Sequence, residues 1–191
     1  MDAKGLLKFQ ITGSFGLLTE IADGATDAEW TSRAFPAANP IGFTVWHGAR
    51  TIDWAVNCVM RGEPEMADDT EWNDIKVTGA LFGAGVSRET TDRVADEVTR
   101  TRVAEYVKAL RKEVLAWLEG VDNEDLSAAV DLEERHAGKP EYMAPAVWTE
   151  VEDLHGKPGW QFLARPSMSH IRVHYGELTS QLETLRTAPP A

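Results

Sequence analysis

The sequence predicts an all-α protein, a four-helix bundle with long loops between helices 2 and 3 and between helices 3 and 4. Three observations predict it. Four segments carry apolar residues at helical spacing, several of them are bounded by proline, serine or glycine, and no stretch alternates with the two-residue period of a strand. With 191 residues and 43% hydrophobic content, the chain is expected to form a single domain over 1–191, with a flexible tail after about residue 187.

The first helix is expected from Lys4 to Ala22, where Leu7, Ile11, Phe15 and Leu18 fall on one side. Gly13 and Gly16 weaken it. The second opens at Pro40, a residue suited to a first turn, and stops at Gly62. Phe43, His47, Trp54 and Cys58 share one of its faces. The third starts at an N-cap, Ser87, and is expected to run unbroken to about Gly120. Its buried side is predicted to hold Val94, Val98, Thr101, Leu110, Val114 and Trp117. From Val121 to Arg165 only "NEDLSAAV" and "PAVWTEVEDLHG" look helical. Pro166 is then expected to open the fourth helix, which runs to about Arg186.

Composition narrows the partners. The formal net charge is -12, and no dense Lys/Arg cluster is present, so no nucleic-acid partner is expected. No run approaches the ~18 apolar residues of a membrane span. The N-terminus lacks a signal-peptide pattern, and a cytoplasmic location is the expectation. A single cysteine, Cys58, excludes an intrachain disulfide and a Cys-rich zinc cluster. It lies ~16 Å along the helix axis from His47, too far to share an ion, and reads as core. Trp30, Trp72, Trp148 and Trp160 fall in loops and are expected to close over the bundle end or to form a dimer surface.

The histidines carry the chemistry. In "SHIRVH", His170 and His174 are four residues apart, so both rings leave the helix in nearly one direction and reach one ion. The acid of the helical zinc-protease motif is absent, because Ile171 follows His170. Ile171, Leu178, Gln181 and Leu185 lie on or beside the same face, so the pair is expected to look into the bundle. A buried imidazole there needs a metal ion, a carboxylate or a water to offset its desolvation. A third ligand must come from another helix, and His47 is the candidate. His136 and His155 sit in polar, loop-like sequence and are expected to be solvated. Glu177, three residues after His174, could accept a hydrogen bond from a ligand ring, complete the coordination, or remain solvated. Arg50, one turn beyond His47, could draw in an anionic substrate or pair with Asp53 at the surface.

"VWHGART" followed far downstream by "SHIRVHYGEL" resembles the DinB-like superfamily, also called the YfiT-like metal-dependent hydrolases. The resemblance implies a four-helix bundle in which His47, His170 and His174 bind a divalent metal, zinc or nickel. Three ligands would leave a coordination position open, as catalytic sites do. Relatives include transferases and isomerases that use a low-molecular-weight thiol such as mycothiol or bacillithiol. The mycothiol-dependent isomerase carries an added C-terminal domain, so S-transfer to a small-molecule electrophile is the expectation here. A metal-dependent hydrolase and a non-catalytic metal- or ligand-binding stress protein are the alternatives. Homodimers are common among such relatives.

Overall fold

The computed structural model describes residues 3–187, and the tail expected after about residue 187 lies outside them. Among the described residues the chain is helical, with no strand and one antiparallel bridge, Ala129 to Pro158. No helix among them is long and apolar enough to cross a membrane.

Helix α1 (Ala3–Gly24) buries Leu7, Ile11, Phe15 and Leu18 as its spacing predicts. A capping box then starts the short helix Asp27–Trp30: the Thr26 hydroxyl accepts from the Glu29 amide, and the Glu29 carboxylate accepts from the Thr26 amide at 2.7 Å. This turn drives Trp30 into the core, where its indole N–H donates to the Val98 carbonyl at 2.9 Å.

Helix α2 (Ile41–Asp53) continues as a π-helical segment, Trp54–Arg61, and stops at Gly62, whose φ of +67° is left-handed. The sequence predicts one buried face, but every residue from Ile41 to Val59 is buried. A helix enclosed on all sides is the centre of the bundle, and α2 touches α1, α6 (His170–Thr187) and the two helices of the third segment. Gly48 permits a close approach of α1 and α6, since a Cβ there would lie 2.9 Å from Leu18 and 3.2 Å from Ile171.

The third helix is two helices, α3 (Arg88–Glu97) and α4 (Arg100–Gly120). Ser87 caps α3 as expected, its hydroxyl accepting from the Thr90 amide. The chain then turns extended at Val98, and the Thr99 hydroxyl caps α4 by accepting from the Arg102 amide. The break rotates the buried stripe, so Val103, Tyr106, Val107, Leu110, Val114 and Leu118 are buried while Thr101 is exposed and Trp117 half-buried.

The fourth helix starts earlier than Pro166. Helix α5 (Gly159–Ala164) leads through a π-helical turn, Arg165–Ser169, into α6. Proline inside an α-helix clashes with the carbonyl four residues back, and the wider π turn accommodates the ring. Both expected long loops are present and carry short helical turns. They bury Trp72, Ile75, Phe82, Tyr142 and His136 over the bundle.

Candidate metal centre

His47 lies midway along α2, and His170 and His174 occupy the first two turns of α6. The crossing of these helices brings the three rings together, tilted against one another. Ring centroids are 4.8 Å apart for His47 and His170, 5.3 Å for His47 and His174, and 4.4 Å for His170 and His174. One nitrogen from each lies within 4.8 Å of the other two. Tetrahedral ligands of zinc sit about 3.4 Å apart for Zn–N bonds of about 2.0–2.1 Å.

Two of the rings are fixed from behind. Nδ1–H of His47 donates to the Phe82 carbonyl at 2.5 Å, and Nδ1–H of His174 donates to Glu177 Oε2 at 2.7 Å. Each bond leaves Nε2 as the free lone pair, which is how metal-binding imidazoles are usually oriented. Phe43 stacks nearly parallel on His47 at 5.6 Å. Gly83 closes over the same ring with φ +97°, and a Cβ there would lie 2.6 Å from His47 Nδ1. Among the described residues no hydrogen bond reaches the His170 ring, whose ring contacts are the other two imidazoles.

Burial, helped by the nearby His174, pushes the His47 imidazole down to about 4, although its bond to Phe82 opposes the shift. Burial, then His47 and His174, pushes His170 down to about 2. Both rings are therefore neutral at pH 7, the form that binds metal. A triad with two Nδ1 atoms already paired and one nitrogen of each ring converging on the others fits a divalent cation.

The triad opens onto a cavity of about 390 Å³. Its walls include Phe43, Trp54, Phe82, Val151 and Leu154, and Glu150 and Arg165 also line it. That size suits a small molecule.

A family model described as the DinB superfamily matches residues 10–154. This chain belongs to the DinB superfamily. The matched span contains His47 and stops short of His170 and His174, so the folded bundle is what joins the pair to the DinB helix bearing His47. Among curated proteins no match is found.

Other sequence candidates fall differently on this DinB scaffold. Glu177 holds a histidine, one of the roles considered for it. Arg50 is 2% exposed and absent from the cavity lining; it faces the core. Its guanidinium pairs with Asp53 and Glu65, each at 2.9 Å. Asp53 also accepts from Tyr106, Asn57 and the Met66 and Ala67 amides. Each added hydrogen bond offsets part of the cost of burying these charges. A surface pairing was the wrong setting because α2 has no exposed face.

His136 is not solvated. It is 1% exposed, and its Nε2 accepts from the Trp54 indole at 3.0 Å. The loop that carries it folds onto α2, a placement that local polarity does not encode. His155 is exposed, as expected. Cys58 is buried, and burial pushes its thiol up to about 11. Of the four loop tryptophans, Trp30 and Trp72 are core, Trp148 is half-buried and Trp160 is exposed.

Proposed function

We propose that His47, His170 and His174 hold one divalent metal ion, zinc or nickel, and that this DinB protein transfers a low-molecular-weight thiol of the mycothiol or bacillithiol type to a small electrophile. The observation that carries the reading is the convergence of three imidazoles, two of them oriented by Phe82 and Glu177, on the wall of a cavity. His47, His170 and His174 would hold the ion, which when bound would acidify a thiol or a water at a position they leave free. The chain supplies the rest. Phe82 and Glu177 set the tautomers, and Gly83 and Phe43 hold the His47 ring in place. In the transfer, the S–H bond breaks and its proton passes to solvent or buffer, sulfur forms the new bond to the electrophilic carbon, and the leaving group on that carbon departs with its bonding electrons.

Hydrolysis is the second reading. The observation favouring it is Glu150, a carboxylate lining the same cavity and of the type that takes a proton from water.

The test is metal analysis followed by thiol titration. One ion per chain is expected, lost in His47→Ala, His170→Ala and His174→Ala. Thiol addition is expected to perturb the visible spectrum of the Co²⁺-substituted protein. Failure to bind any divalent ion at low micromolar concentration overturns the site. A metal-bound protein whose spectrum ignores thiols overturns the transfer reading and leaves hydrolysis or binding alone.

A further inference from the structure

A second cavity, of about 410 Å³, adjoins the triad, and Phe35, Asn39, Glu177, Ser180 and Gln181 are among its walls. Asn39 also lines the triad cavity, so the two meet at that residue. Glu177 joins them a second way, because it holds His174, which lines the first cavity.

One wall is the loop between the short helix Asp27–Trp30 and α2, and it is pinned along its length. Gln181 is 4% exposed; its Oε1 accepts from the Ala34 amide at 3.2 Å, and its Nε2 donates to the Asn39 carbonyl at 3.4 Å. The Ile41 amide donates to the Ser32 carbonyl at 3.1 Å, and Arg88 donates to the Pro36 carbonyl. On this fixed loop Phe35 is 45% exposed, and among the described residues no other aromatic ring stacks on it. It is an apolar face left free at the cavity wall.

The polar groups beside it are also free. Among the described residues the Asn39 amide and the Ser180 hydroxyl make no hydrogen bond, and both residues are exposed. Glu177 uses Oε2 on His174, which leaves Oε1. Glu177 is the one charged side chain of the lining among the described residues, so the cavity has no cation to draw in an anion. An amide, a hydroxyl and a carboxylate oxygen offer donors and acceptors to neutral hydroxyls. A sugar ring has the matching surface, with C–H groups on its faces and hydroxyls around its edge.

We propose that this second cavity binds a sugar ring, the body of the thiol cosubstrate, with Phe35 against one face of the ring and Asn39, Ser180 and Glu177 on its hydroxyls. The proposal rests on the thiol-transfer reading, and it gives the thiol a seat next to the ion that would take its sulfur.

Two thiols test it on the Co²⁺-substituted full chain: cysteine amide-linked to glucosamine, and N-acetylcysteine, which has no sugar. The sugar-bearing thiol is expected to bind about tenfold tighter, the size of one added hydrogen bond. Phe35→Ala and Ser180→Ala should each reduce that ratio and leave N-acetylcysteine and Co²⁺ binding unchanged. Trp160→Ala is the control, since Trp160 is 44% exposed and lines neither cavity. Equal binding of the two thiols, or a ratio unchanged in both variants, overturns the sugar seat and leaves the transfer reading standing. If neither thiol perturbs the Co²⁺ spectrum, the transfer reading fails, and N-acetylglucosamine followed by saturation-transfer NMR decides the cavity. A signal that is lost in Phe35→Ala supports a sugar site that serves a free sugar, and the absence of a signal overturns the site.

Discussion

Nδ1 of His47 donates to the Phe82 carbonyl at 2.5 Å, which ties the central helix to the loop that follows it. Gly83 makes this contact attainable, because its neighbour is the His47 ring itself and its φ is +97°. Gly83→Ala is expected to cost on the order of 1–3 kcal/mol in stability from backbone strain and also to weaken Zn²⁺ binding by displacing His47. Gly79→Ala is the control, with φ +78° but open space around the added carbon. Urea denaturation and Zn²⁺ calorimetry separate the two effects. If both variants bind Zn²⁺ like the parent, the loop does not orient His47.

Glu177 is exposed, so its removal should leave folding within about 0.5 kcal/mol of the parent. Its bond to His174 Nδ1 predicts a loss of about 10- to 100-fold in metal affinity for Glu177→Ala, with a smaller loss for Glu177→Gln. Competition against a chromophoric chelator measures this. Unchanged affinity in the alanine variant removes Glu177 from the site.

Arg50→Met is predicted to destabilise by about 3–5 kcal/mol, because Asp53 and Glu65 would lose the cation buried between them. Metal affinity of the folded fraction should not change, since Arg50 does not line the cavity. Stability and metal titration on the same preparation check both halves.

His136 gives a pH signature. Burial, followed by the nearby Lys139 charge, depresses its folded pKa from 6.5 to about 4. The unfolded chain therefore binds the extra proton first. The contribution of His136 to stability is fully present above pH 6.5 and is lost as pH falls from there through about 4. His136→Phe leaves the Trp54 N–H unpaired, so at pH 7 it should be less stable by about 1–3 kcal/mol. That gap should narrow on acidification, as the parent alone loses the His136 contribution. A gap constant from pH 7 to 4 in urea melts counts against a neutral, buried His136.

The helical class and the pairing of His170 with His174 were legible because both are local. Apolar spacing and an i, i+4 repeat follow from the geometry of a single helix, as do the caps at Ser87 and Gly62. His47 was legible as a candidate because a polar ring in an apolar helix demands a partner. Three features were not foreseen. The break at Val98–Thr99 hangs on one threonine cap and on the Val98 carbonyl that Trp30 claims. Pro166 sits inside a π turn, whereas proline ordinarily marks a helix start. The enclosure of α2 on all sides turned Arg50 from a surface residue into a core one.

By itself the sequence determined which side chains could bind a metal and that they would ride on helices, since residue type and helical period are properties of short stretches. Only the tertiary structure decided that α2 and α6 cross at His47, that Phe82 and Glu177 fix two of the rings, and that His136 reaches Trp54 from 82 residues away. Those contacts join distant segments, and their energy comes from burial and hydrogen-bond satisfaction, which exist only once the chain is packed.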